Sequence, residues 1–308
     1  MKRRKIAIYC CLAALVGTLI IWTLRANFDK RPAVSDSAKR NTRVVYVAFA
    51  SGSAWLREVD IYGDELHSPV AIPLNSRSSL TCKPAVDDKG RVCLAYNEGG
   101  ELTSLLIINS GKLVRRPLES PIADVRAIEW VNTRQVAALT SFGRIPTINV
   151  NTGKWTLTFG QDWPPAQSPD GRYQLSYYVA RYGGYYTALV DRVTKQKWPL
   201  PGKCSSYSWS PQDGTLAVVA RGDKDYGLYM VDCATGTAEH IIISAGREER
   251  LVGAAYDSTG RYIIVEYLIG LKRMQSRLVG FDIKTRRYWK IADRIDPYGW
   301  NMVTVSGN

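Results

Sequence analysis

Residues 167–178 read QSPDGRYQLSYY. A polar turn, Ser168-Pro169-Asp170-Gly171, is followed by a run in which side chains alternate between two faces. Ser and Asp close such a turn with their own side chains, Gly supplies the positive φ, and the alternation that follows is that of a strand. The same unit recurs as PAVDDKGRVCLAY (84–96), EWVNTRQVAAL (129–139), WSPQDGTLAVVA (209–220) and YDSTGRYIIVEY (256–267).

A second unit lies between these: VDIYGDELHSPVAI, LIINSGKLVRRPL, INVNTGKWTLTF, ALVDRVTKQKWPL, YMVDCATGTAEHIII and VGFDIKTRRYWKI. Its turn positions, Gly63, Gly111, Gly153, Lys195, Gly236 and Arg286, are 48, 42, 42, 41 and 50 residues apart. A period in the forties with four short strands per unit predicts propeller blades. Five complete units start near Leu80, Asp124, Asp162, Cys204 and Arg250. Three strands near 44–50, 56–62 and 68–73, with one more at Tyr298–Ser306, make a sixth unit that closes the ring and hides both sheet edges. The expected fold is all-β: a six-bladed β-propeller with 3+1 strand closure over residues 44–308, preceded by one N-terminal transmembrane helix.

The runs QSPDGRYQL and WSPQDGTLAVVA resemble the SPDG-type repeats of the TolB-like, WD-repeat-like propeller superfamily, which also supplies the propeller of prolyl oligopeptidase-type enzymes. The resemblance covers residues 44–308. It implies an exported bacterial protein whose propeller binds a partner protein or gates another domain. The chain departs from TolB in lacking a separate amino-terminal α/β domain, and from the peptidases in lacking the hydrolase domain, so neither specific activity carries over.

Composition agrees with a folded β domain. The 308 residues are 45% hydrophobic and 22% charged, which excludes a mainly disordered or collagen-like chain. The 18 Tyr and 9 Trp, against 4 Met, suit pleated surfaces. The net charge is +13, but ten basic groups and only two acidic ones fall within residues 1–43. Much of the excess therefore sits beside an apolar segment rather than on the repeats, which argues against nucleic acid as a partner.

That segment is Ile6–Leu24 (IAIYCCLAALVGTLIIWTL), uncharged and long enough as a helix to cross a bilayer. Residues 1–5 read as a cytoplasmic basic tail, 6–24 as a signal anchor and 25–43 as a polar stalk. A cleaved secretory signal is the rival reading. Against it stand the length of the apolar run and the lack of a small-x-small site after Leu24. Basic residues before the helix favour N-in, C-out. The expected location is the bacterial cytoplasmic membrane, single-pass, with the propeller in the periplasm or outside the cell.

Chemical motifs are scarce. The sequence holds no G-x-S-x-G, no H-E-x-x-H, no phosphate-cradling Gly loop and no C-x-x-C. His67 and His240 fall on different units, at the start of outer strands, which disfavours a shared metal or a Ser-His dyad. Asp170, Asp213 and Asp257 sit in turns and read as turn closers. No catalytic residue, metal or cofactor is assigned. Cys82 and Cys93 flank the DDKG turn and are candidates for a disulfide. Strand register pairs Pro84 rather than Cys82 with Cys93, which leaves that bond open. Cys204 and Cys233 read as small buried apolar residues.

Loops joining the second strand to the third, and one unit to the next, share one propeller face. That face would carry Trp55, Arg144, Trp163, Arg181, Tyr182 and Tyr185, together with Asp223, Lys224, Tyr226, Lys272 and Arg273. Loops on a rigid scaffold carry recognition, and Tyr, Trp and Arg are enriched at interface anchors. The sequence thus reads as a membrane-anchored, non-enzymatic binding or scaffold module for a protein, peptide or envelope polymer. The alternative is a propeller enzyme, a hydrolase or lyase on sugars or lactones, with its site at the channel mouth.

Overall fold

The computed structural model describes residues 42–50, 53–80, 82–140, 144–158, 167–180, 183–212, 214–221, 226–243, 249–270, 275–295 and 303–307. The anchor, tail and most of the stalk read from the sequence lie outside them. Among the described residues no helix is long and apolar enough to cross a membrane, so the expected transmembrane helix has no counterpart there.

The described residues build five antiparallel sheets arranged as a propeller. The chain begins with β1 (Thr42–Ala50), β2 (Ser53–Val59) and β3 (Val70–Ile72). A second sheet contains β4 (Ser78–Leu80), β5 (Ala85–Val86), β6 (Val92–Glu98), β7 (Glu101–Asn109) and β8 (Lys112–Ala123). The third runs β9 (Val125–Asn132), β10 (Gln135–Thr140), β11 (Ile145–Asn149) and β12 (Trp155–Thr158). The fourth has six strands: β13 (Tyr173–Ala180), β14 (Gly183–Asp191), β15 (Lys197–Trp209), β16 (Thr215–Arg221), β17 (Tyr226–Asp232) and β18 (Ala238–Ile243). The fifth runs β19 (Glu249–Tyr256), β20 (Tyr262–Ile269), β21 (Gln275–Asp282) and β22 (Arg287–Ile295). Last, β23 (Val303–Gly307) returns to pair with β1, giving the order β23-β1-β2-β3 with Val44 opposite Val305.

The expectation of six blades is therefore corrected to five. The cause is β15, a single strand where the repeat spacing predicts two. Lys197–Pro199 pair with β14, and Lys203–Trp209 pair with β16. The sequence there, KWPLPGKCSSYSW, contains Pro201-Gly202, which reads as a turn between units. With Gly202 at φ 90° the strand carries through, and two repeats share one sheet.

Alternation decides which side chains fill the spaces between sheets. On β1, Val45 and Val47 pack with Leu80, Leu94 and Leu106 of the second sheet. Val44 and Tyr46 point the other way, against Tyr262, Ile264 and Trp289 of the fifth. Each fully buried Val or Leu contributes about 1.5–3 kcal/mol. Strands of neighbouring sheets follow one another in contact, β15 in the middle of the fourth sheet against β19, β19 against β23, β23 against β5 and β5 against β9.

The six turn positions picked out by spacing all adopt positive φ: Gly63, Gly111, Gly153 and Gly236, but also Lys195 (64°) and Arg286 (58°). Five of these turns, all but that at Gly111, are closed by the acid or amide side chain before them. Asp191 Oδ1, for example, accepts from the amides of Val193 and Thr194, and Asp282 Oδ1 from those of Lys284 and Thr285.

Candidate functional site

The propeller has two unlike ends. At one end lie the turns joining first to second and third to fourth strands, bonded side by side. Ile283 N–H donates to Arg261 O, Val150 N–H to Arg134 O, and Arg91 reaches Thr133 O of the next sheet at 2.7 Å. Here Asp170 accepts from Ser168 Oγ and from the Arg172 amide, and Asp257 Oδ1 from the Tyr262 amide at 2.8 Å. Asp213 lies outside the described residues.

At the opposite end are the loops named from the sequence. Trp55 stands two residues into β2, opposite Ala48, and is half-buried. Arg144 is exposed, and its backbone exchanges hydrogen bonds with Thr140 to close the β10–β11 loop. Tyr226 opens β17 opposite Arg221, whose guanidinium carbon lies 5.8 Å from its ring centroid. Trp163, Arg181, Tyr182, Asp223, Lys224, Lys272 and Arg273 lie outside the described residues. The backbone of Tyr185 pairs with Tyr178 in β13–β14, and its side chain is not among the described ones.

Between the ends, a small cavity on the inner strands is lined by Lys83, Ser206, Gly253, Ala254, Ala255, Ile264 and Glu266. Sequence reading missed it, although one signal was present: Glu266 is a lone carboxylate in the apolar strand YIIVEYLI. Glu266 is 2% exposed and accepts from Ser276 Oγ at 3.0 Å. It stands opposite Gly253, where a β-bulge interrupts the pairing of β19 with β20. Bulges and missing side chains both bring a strand's backbone close to whatever occupies the space beside it. Lys83 forms an ion pair with Glu129 at 3.5 Å. The lining thus offers a cation, a hydroxyl and a buried carboxylate around a space with room for about one water molecule.

Both Cys82 and Cys93 are buried and free, so the structure contains no disulfide between them. Cys93 lies opposite Ala85, one residue from the expected register. Burial, with the Glu129 carboxylate nearby, pushes the Cys82 thiol up to about 12. Burial likewise raises Cys93. Cys204 and Cys233 are buried, at 0% and 1% exposure. His67 Nδ1 lies 3.0 Å from Glu58 Oε2, while His240 stacks on Tyr229 at 4.5 Å. His67 lies in the β2–β3 connection of the first sheet and His240 on β18 of the fourth, and both are exposed.

Five sheets round a common axis, closed by the chain's two ends in one of them, define a β-propeller. The fold is TolB-like. TolB from Acinetobacter baumannii superposes with a TM-score of 0.60 at 14% identity, over 87% of this chain and 67% of that one. A putative TolB from Agrobacterium tumefaciens gives 0.53 at 11% identity, over 87% and 98%. A chain of a nidogen/laminin complex gives 0.56 at 10% identity, over 86% and 98%. No protein-family model matches the chain, and no curated protein matches it in sequence.

Proposed function

We propose that this chain is a membrane-tethered binding module, held outside the cytoplasm, that engages a protein partner through its loop end. The observation that carries the reading is the TolB-like propeller with Arg144 and Tyr226 at the loop end. A rigid ring presenting loops is a recognition scaffold, and Arg and Tyr are common interface anchors. The apolar run Ile6–Leu24 supports tethering, and the basic residues before it support N-in orientation. The nidogen/laminin structure is of a propeller within a protein complex, which favours a protein over an envelope polymer.

Photo-crosslinking on cells tests this. A crosslinking residue at Arg144 or Tyr226 is expected to yield one discrete protein adduct, and the same residue at Lys154, at the turn end, none. Adducts at Lys154 alone, or at no position, would contradict it.

A second reading is favoured by one feature. Glu266 and Lys83 line a single cavity, with Glu129 paired to Lys83. Glu266 is the one carboxylate in that lining, and a carboxylate is a group that hydrolases and lyases use for proton transfer. A turnover screen on sugars and lactones tests it: activity abolished by Glu266→Gln would establish the enzyme, and no turnover would dismiss it.

A further inference from the structure

Acids and bases are sorted by depth at the turn end. Asp87, Asp191, Asp257 and Asp282 are buried, and each is bound by backbone amides of its own turn. Lys89, Lys195 and Lys284 lie in these turns and Lys112, Arg134 and Lys154 in the neighbouring turns of the same end; all six are exposed and form no side-chain ion pair among the described residues. Of the described exposed acids there, Glu65 is ion-paired with Arg57 and Glu239 with Arg286, while Asp170, Asp232 and Glu119 accept hydrogen bonds from Ser168, from the amides of Ala234 and Thr235, and from the amide of Trp155. Asp64 and Asp88 are exposed at this end as well. The outward surface of this end is therefore basic, because its acids are turned inward to close the turns.

The chain also enters the ring at this end. Thr42 Oγ1 donates to Asp257 Oδ2 in the β19–β20 turn, and Arg43 donates to Gly90 O, at 2.6 Å, in the β5–β6 turn. Only residues 25–41 separate Thr42 from Leu24, and they contribute Arg25, Lys30, Arg31, Lys39 and Arg40.

We infer that the turn end of the propeller lies on an anionic lipid headgroup surface, which turns the loop end away from the membrane. This rests on the reading of Ile6–Leu24 as an anchor. A basic face at the point of attachment is drawn toward an anionic bilayer by about fivefold per Lys or Arg near the surface, and the attraction decays within a Debye length. Orientation follows without any headgroup-specific pocket.

The test uses the full chain reconstituted in vesicles of phosphatidylcholine alone or with phosphatidylglycerol. A donor dye is placed at Asn151→Cys (turn end) or Glu101→Cys (loop end), with an acceptor on the lipid. With phosphatidylglycerol the turn-end dye is expected to transfer more efficiently than the loop-end dye. The difference should vanish in about 1 M salt, where the Debye length is ~3 Å. It should also vanish in the Lys112→Glu/Lys154→Glu/Lys195→Glu variant, which is expected to lose on the order of a hundredfold in lipid preference. Circular dichroism of that variant confirms that it folds. Equal transfer from both dyes with the chain retained in the vesicles would overturn the orientation and leave the anchor standing. Extraction of the chain at alkaline pH would overturn both. A turn-end dye that responds only to added polyglutamate would assign the face to a soluble polyanion and overturn the lipid assignment.

Discussion

The indole N–H of Trp289 donates to the carbonyl oxygen of Ile61 at 2.7 Å, across 228 positions of chain. Trp289 is 1% exposed and lies between the fifth sheet and the first, edge-on to Tyr262 with ring centroids 5.7 Å apart. Gly280 provides the space: a Cβ there would collide with the Trp289 ring. Trp289→Phe keeps most of the volume and leaves a buried carbonyl unbonded, a cost of about 1–3 kcal/mol. Urea unfolding should show that loss, and a change under about 0.5 kcal/mol would remove this bond from the account of closure.

The turn positions differ in what they tolerate. A Cβ on Gly153 would strike the backbone of Pro117 and force a positive φ on an L side chain. Gly153→Ala is expected to destabilise by about 2 kcal/mol or more. Lys195 already holds φ 64° with a side chain, so Lys195→Gly relieves strain and is expected to stabilise by about 1 kcal/mol. Thermal melts of the two variants check the opposite signs.

Acid should loosen the ring in a defined direction. Burial alone would raise the carboxyl of Asp191. The amides of Thr194 and Val193 and the guanidinium of Arg172 outweigh it and hold the group below the usual carboxylate range. Asp282 behaves alike, with Arg261 and the Thr285 amide opposing its burial. A carboxyl depressed in the folded state adds stability that is complete above its unfolded value, near 3.9, and is lost as pH falls through the folded one. Melting temperature should therefore stay level from pH 7 to about 5 and drop below about 4. In Asp191→Asn the drop should be shallower.

Much of this fold is legible in the repeat. The positions Gly63 to Arg286 show their spacing and their positive φ alike, because a tight turn between strands imposes both. The return of β23 to β1 follows from counting strands at the two ends. The failure lies at Pro201-Gly202. A local turn signal there competes with the pairing of Tyr186 to Cys204, a long-range contact that no spacing reveals. The site was less legible. Arg144 and Tyr226 are visible as loop residues. The cavity at Glu266, by contrast, depends on Lys83 and Ser206 arriving from other sheets.

The four described cysteines should resist reagents that attack thiolates. Burial pushes Cys204, like Cys82, up to about 12, so almost no thiolate exists at neutral pH. Ellman's reagent is expected to miss these four in the folded protein and to find them once it is unfolded without reductant, for a count of six with Cys10 and Cys11. Two fewer in the unfolded chain would mean that Cys82 and Cys93 are joined.

The closed ring is tested most directly by hydrogen exchange along β1 and β23. The amides of Val44–Tyr46 and of Val303–Val305 should be protected together, and removing residues 303–308 should release those of β1. Residues 303–307 exchanging as freely as an unfolded tail, with β1 still protected, would contradict the closure.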